Sequence, residues 1–250
     1  MLKRTYRTVM PMLPATTQQR LVDLKERWGK RLPVPWVRFG SLRRQTPIGA
    51  TPDSRGTAID RYYIEDFMAR NAGDIRGRVL ECLNRSYTER FGGARVSRSD
   101  VLNVEAGNPL STFVGDLAGA NNLPSESFDC VILTQVLQLI YDLRTAIATV
   151  DRILKPGGVV LATMPGLTPV NVYQWPWMWM MTPNSARRLF QEYFPADAVT
   201  AESRGNVLAA ISFLHGISLE ELGHAALARN DPSYPVTVAI RAVKPDAVGT

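Results

Sequence analysis

The sequence predicts an α/β fold in one domain, built around a mostly parallel sheet. Three observations predict it. Apolar runs of strand length recur from residue 78 onward, and segments of helix length separate them. The runs are apolar nearly throughout rather than alternating, which is the pattern of strands covered on both faces. Strands alternating with helical segments then place helices above and below a parallel sheet.

Each element follows in order. Residues 16–30 have helical spacing, with Leu21, Leu24 and Trp28 on one face. Residues 31–56 are rich in proline, glycine and arginine and read as a long loop. A helix begins in AIDRYYIEDFMARNAGDI, where Ile59, Tyr63 and Phe67 repeat at i, i+4 and i+8. RVLECL (78–83) is the first strand, RVSRSDVL (95–102) the second, STFVGDL (111–117) the third and FDCVILT (128–134) the fourth. TAIATVDRIL (145–154) is helical, LKPGG a tight turn, and VVLATMP (159–165) the fifth strand. A Trp/Met-rich stretch leads to a helix over 183–194 with Ala186, Leu189, Phe190 and Phe194 on its apolar face. AVTAESR (198–204) and YPVTVAIRAVK (234–244) complete the strands.

Composition bounds the function classes. The 250 residues are 45% hydrophobic and 21% charged, the balance of an ordinary globular chain. The net charge of +6 is unevenly placed, because residues 1–45 hold eleven Lys/Arg against two acids. Residues 1–55 are therefore expected to form a basic N-terminal extension and residues 56–250 the domain proper. The extension's basic residues are scattered among apolar residues and prolines, and no aromatic platform follows, which points away from nucleic acid. No apolar run approaches the roughly 20 residues that cross a bilayer, and the first apolar stretch is broken by Pro11 and Pro14. Cys82 and Cys130 both lie in apolar runs, the usage of a reducing compartment. A cytoplasmic protein with a small-molecule partner is the expectation, its oligomeric state left open with a homodimer among the choices.

Chemistry concentrates at the strand ends. Glu81 falls near the end of the first strand, Asp100 at the end of the second, Asp116 at the end of the third and Thr134 at the end of the fourth. In a parallel sheet ligands bind beyond these ends, and a carboxylate after the second strand suits ribose hydroxyls. Acids at strand ends also cap the following turn. The ordered series is harder to explain by capping alone.

The stretch GDLAGANNLPSESFDCVILTQVLQLIYD through ILKPGGVVLATMPG resembles the central part of class I S-adenosylmethionine-dependent methyltransferases. A narrower likeness, to a bacterial group often found beside glycosyltransferases or in specialised-metabolite pathways, runs through RGTAIDRYYIEDFM, IRGRVLE, YTERFGG, RSDVLNV, LTQVLQLIYD, LKPGG, SARRLF and GNVLAAISFLHG. The resemblance implies a Rossmann-like sheet of seven strands, the last antiparallel, with helices on both faces. It implies S-adenosylmethionine as cofactor, with Asp116 and Leu117 at adenine, Asp100 at ribose, and Thr134 and Gln135 on the floor. Tyr62 or Tyr63 would reach the methionine carboxylate, although a helical aromatic is as often core.

The chain departs from that pattern after the first strand. Relatives place glycines there, so that backbone passes close to the cofactor. Here the text is Glu81-Cys82-Leu83-Asn84-Arg85-Ser86-Tyr87, with Leu83-Asn84 where the narrower group has Gly-Asp. Either the cofactor sits differently or methyl transfer is replaced, as in a cyclase or isomerase of specialised metabolism. A third reading makes the basic arm the working part of a non-catalytic interaction module. QWPWMWMMTPN (174–184) is either an apolar acceptor wall or a hydrophobic plug. His215, in FLHG, is the candidate general base, weighed against a histidine capping a helix. Two histidines without clustered ligands argue against a metal site. The expected reaction is methylation of an oxygen or nitrogen on a small bacterial metabolite, glycosylated ones included.

Overall fold

The computed structural model describes residues 44–119, 122–170 and 175–246, together with Pro14 and Thr17. The helix expected over 16–30, and Gln174 of the Trp/Met stretch, lie outside the described residues. Seven strands form one sheet: β1 (Gly77–Cys82), β2 (Val96–Asn103), β3 (Phe113–Val114), β4 (Phe128–Thr134), β5 (Leu154–Pro165), β6 (Val199–Arg204) and β7 (Thr237–Val243). Their order across the sheet is β3-β2-β1-β4-β5-β7-β6. The pairs from β3 through β5 are parallel, and β7 runs antiparallel to both β5 and β6. This is the class I methyltransferase arrangement expected from the sequence.

The strand reading succeeds best in the middle of the sheet. FDCVILT is β4 residue for residue, and its Phe128, Cys130, Val131, Ile132 and Leu133 are all fully buried. The third strand is shorter than expected, because β3 is an edge strand that pairs only with Leu102 and Asn103 of β2. LKPGG is not a free turn. It is drawn into β5, where Gly157, at φ 72°, donates its N–H to the carbonyl of Lys244, beyond the end of β7, and the Lys244 N–H donates to the Gly158 carbonyl. Gly77, which opens β1 at φ 64°, is required sterically as well, since a Cβ there would lie 2.4 Å from Asp129 Oδ2.

Helices cover both faces. α1 (Ile59–Arg70) buries Ile59, Tyr63, Ile64, Phe67 and Met68, the face that its spacing predicts. α2 (Leu143–Ile153) covers the opposite face, and Asp142 caps it by accepting from the Thr145 backbone N–H. α3 (Pro183–Phe190) begins at a capping box between Thr182 and Ser185. It ends four residues earlier than the periodicity suggests, yet Phe194 stays buried and stacks on Phe190 at 6.2 Å. α4 (Val207–Leu214), α5 (Leu219–Leu222) and α6 (His224–Ala228) fill the β6–β7 connection. α4 packs against α1 and so closes one end of the sheet. Among the described residues no helix is long and apolar enough to cross a membrane.

Candidate functional site

Strand order reverses between β1 and β4, since β2 and β3 lie to one side of β1 and β4 and β5 to the other. Ligands in such sheets sit in the crevice beyond the carboxyl ends at that point. Two cavities lie there. The larger, of about 680 Å³, is lined by Leu83, Asn103, Glu105, Asp116, Leu117 and Ile140, among others. The smaller, of about 220 Å³, is lined by Asp60, Arg61, Gln135, Trp177 and Phe213, among others. Trp175 belongs to both walls, so the two spaces meet at one indole.

The loop after β1 shapes the larger cavity without glycine. Leu83 adopts φ 71°, a left-handed conformation that a leucine takes only at a cost of about 1–2 kcal/mol. Neighbours hold it there. Its N–H donates to the Leu102 carbonyl and its own carbonyl accepts from Asn108 Nδ2. Glu81 secures the rest of the loop: its carboxylate accepts from the Tyr87 and Thr88 backbone N–H groups and from the Thr88 hydroxyl. Burial pushes the Glu81 carboxyl above its ordinary value, against the pull of those bonds from Thr88 and Tyr87. The Tyr87 hydroxyl in turn accepts from Arg61 Nη1, tying the loop to α1.

The expected site residues divide. Asp116 and Leu117 line the larger cavity, and Asp116 Oδ1 accepts from the Ala118 N–H to fix the turn. Gln135 lines the smaller one at φ 54°, its amide oxygen accepting from Gln138 Nε2. Glu81 shapes the loop rather than facing either space. Thr134 pairs in register with Thr163 at the end of β4 and lines neither cavity.

Three expectations require correction on geometry. Asp100 lies inside β2, three residues short of its end, and is fully buried between Arg78 and Arg98, at 2.6 and 3.1 Å. The strand continues to Asn103, which takes the terminal position that was assigned to Asp100. Tyr63 is 3% exposed and donates its hydroxyl proton to the Leu227 carbonyl, and burial pushes its pKa up to about 12. It is core. His215 is the C-cap of α4 and lines neither cavity; its carbonyl accepts from the Ile48 and Gly49 N–H groups. The Trp/Met stretch splits between its two readings. Trp175 and Trp177 face the cavities, while Trp179 stacks on Tyr141 at 5.9 Å and donates its indole N–H to the Ile140 carbonyl.

Four residues that sequence reasoning passed over line these spaces: Asn103 and Glu105 in the larger, Asp60 and Arg61 in the smaller. The signal for the first pair was the true end of β2. For the second it was the Asp-Arg pair beside the two tyrosines.

Residues 75–162, which span β1 through most of β5, match the family model for a methyltransferase domain. That stretch of the chain is similar to a methyltransferase domain, and the sheet that holds it has the class I strand order. Among solved structures, an S-adenosylmethionine-dependent methyltransferase from Archaeoglobus fulgidus aligns with TM-score 0.51 at 16% identity, over 76% of this chain and 96% of that one. At that identity it speaks for the fold. The [4+2]-cyclase SpnF aligns at TM-score 0.49 and 17% identity, over 82% and 89% of the two chains. Phosphoethanolamine N-methyltransferase 2 of Haemonchus contortus aligns at 0.49 and 16%, over 68% of this chain and 49% of that one. No curated protein matches the sequence.

The cofactor of this domain class is S-adenosylmethionine, and the larger cavity can be compared with what its nucleoside requires. The larger cavity combines apolar walls from Leu102, Leu117, Leu139 and Ile140 with polar groups of Asn103, Glu105 and Asp116. That is the donor set an adenosine needs: flat apolar surface for the base and acceptors for its amino and hydroxyl hydrogens. Asn103 is held by its Nδ2, which donates to Ser111 Oγ at 2.6 Å.

Proposed function

We propose that this methyltransferase transfers a methyl group from S-adenosylmethionine to an oxygen or nitrogen of a small, largely apolar metabolite. The observation that carries the reading is the meeting of the two cavities at Trp175. A nucleoside-sized space there shares a wall residue with a second, smaller one. At about 220 Å³ the latter falls below the usual ligand cavity of about 300–1,000 Å³, so it suits a small acceptor or one end of a larger one.

When bound, S-adenosylmethionine supplies an electrophilic methyl group. Asp116 and Leu117 would hold the adenine, and Asn103 and Glu105 the ribose, in place of Asp100. Arg61 lines the smaller cavity and would meet the methionine carboxylate. Trp175, Trp177 and Phe213 would grip the acceptor by its apolar body and keep water from its nucleophile. The Trp177 indole nitrogen is buried and has no hydrogen-bond partner, so a donor is ready for one polar group of the acceptor. Holding nucleophile and methyl carbon in line supplies much of the rate by itself.

Calorimetry with S-adenosylhomocysteine, followed by a screen for its release from S-adenosylmethionine in the presence of small phenols, alcohols and amines, tests the reading. Binding followed by acceptor-dependent release supports it. Failure of the wild-type protein to bind S-adenosylhomocysteine would overturn it in favour of a fold used for other chemistry.

A further inference from the structure

The smaller cavity contains a carboxylate with one oxygen left unpartnered. Asp60 sits in the first turn of α1 and lines the cavity beside Trp177. Its Oδ1 is shielded from water and has no hydrogen-bond partner. The Trp177 indole N–H shares both properties in the same cavity. One unpartnered acceptor and one unpartnered donor in the lining of one cavity are costly, at roughly 1–3 kcal/mol each when nothing fills them. A ligand that enters the cavity with a hydrogen-bond donor and an acceptor, as a hydroxyl has, can relieve this cost.

An aspartate in the first turn of a helix ordinarily stabilises it through the helix dipole. Here burial outweighs that help. It pushes the Asp60 carboxyl above its ordinary value, opposed by the Arg61 guanidinium and by the Arg61 backbone N–H, and reinforced by the charge of Asp53. The charged and titratable groups around it are Arg61 on α1, Asp53 on the segment before it, and Tyr87 on the loop after β1. A carboxylate of raised basicity is better matched to taking up a proton than one in open water.

We infer that Asp60 is the proton acceptor for the nucleophilic O–H or N–H of the acceptor, a catalytic role that rests on the methyltransferase reading above. As the acceptor's oxygen or nitrogen bonds to the methyl carbon, its proton passes to the Asp60 carboxylate. The carbon–sulfur bond breaks with its electron pair on sulfur, leaving S-adenosylhomocysteine and the methylated product, and Asp60 later returns the proton to water. Asp60 thus takes the part expected of His215, which lies outside the cavity.

The test compares wild type with Asp60→Asn and Asp60→Glu. With S-adenosylhomocysteine as the calorimetric probe, Asp60→Asn should bind about as tightly as wild type. Its melting temperature should exceed wild type near neutral pH, with the gap closing on acidification as the wild-type carboxyl protonates. On any acceptor found by the release screen, Asp60→Asn should lose about a hundredfold or more in kcat, the usual scale of general-base catalysis. Asp60→Glu should recover part of the rate and shift the acid limb of the kcat–pH profile. A loss of about tenfold or more in S-adenosylhomocysteine affinity would overturn the inference by placing Asp60 on the cofactor. A lower melting temperature near neutral pH, or an unchanged kcat, would overturn it as well. If wild type itself fails to bind S-adenosylhomocysteine, the methyltransferase reading falls and takes this inference with it.

Discussion

At the scale of single residues, the carboxylates of the chain look alike in sequence and differ entirely in duty. Asp100 is fully buried and shared by two arginines, and the Arg78 guanidinium also lies over the Phe128 ring at 4.6 Å. Removing one partner from a buried ion pair costs about 3–5 kcal/mol. Asp100→Asn should therefore destabilise the fold by roughly 3 kcal/mol in urea denaturation. The folded fraction should still bind S-adenosylhomocysteine normally. Glu105 is exposed at the rim of the larger cavity, and Glu105→Gln should leave stability unchanged while weakening that binding by about tenfold, the worth of one good hydrogen bond. Leu83 supplies a third contrast. Leu83→Gly exchanges relief of a left-handed leucine for greater freedom of the unfolded chain, so its net effect on stability should stay within about 1 kcal/mol. Leu83→Val should cost about 2 kcal/mol, because a β-branched residue resists that conformation more strongly. Equal loss in both variants would contradict the assignment of strain to this position. None of these duties was legible from residue type. Asp100 and Asn103 are three apart in one strand, and only the strand's end tells which of them faces the ligand.

At the scale of elements, the site is held by short connections between helices and strand ends. Asn206 shows how much one residue carries there. Its side-chain oxygen caps α4 by accepting from the Ala209 N–H, and its Nδ2 donates to the Ala226 and Arg229 carbonyls at 2.9 and 2.7 Å. The residue thereby joins α4 to α6, and α4 brings Phe213 to the smaller cavity. Asn206→Ala should cost about 2–3 kcal/mol, one cap plus two carbonyls left without a donor. Asn206→Asp should keep the cap and lose the link, and thermal melts of the two variants would separate these contributions. The elements themselves were largely readable. The spacing in α1 gave its buried face, and the unbroken apolar run of β4 gave its boundaries. Ends were less readable where partners decide them. LKPGG carries strong turn residues, yet Lys244 supplies the hydrogen bonds that continue β5 through it. β3 stops early because it has one neighbour instead of two.

At the scale of the whole molecule, the segment leading into α1 is fastened to the far end of the chain. Ile48 and Gly49 donate to the His215 carbonyl, Thr57 is held by Glu220, and Arg55 forms an ion pair with Glu221. Burial opposes ionisation of both glutamates, but the bonds from Thr57 to Glu220 and from Arg55 to Glu221 outweigh it and hold their carboxyls below the ordinary value. Groups of this kind contribute stability above the unfolded pKa of about 4.3, and the contribution is lost as pH falls through the lower folded value. Acidification should therefore loosen residues 44–57 and with them Asp53 and Asp60 at the cavity. Hydrogen exchange at Ile48 and Gly49 should quicken below about pH 4. Glu221→Gln should show the same quickening at neutral pH, and unchanged protection in that variant would remove the fastening role. The sequence by itself determined the fold class, the strand series, and the cofactor expected from the Asp116–Gly166 pattern, because these rest on local hydrophobic period and on contiguous motif. Tertiary structure decided which polar groups share a cavity. Asp60 and Trp177, which line the smaller cavity together, are 117 residues apart along the chain. They are gathered at one sheet edge because parallel strands put all their carboxyl ends together. Burial against distant neighbours, which no local pattern encodes, then made Tyr63 core and left Asp60 the carboxylate without a partner on its Oδ1.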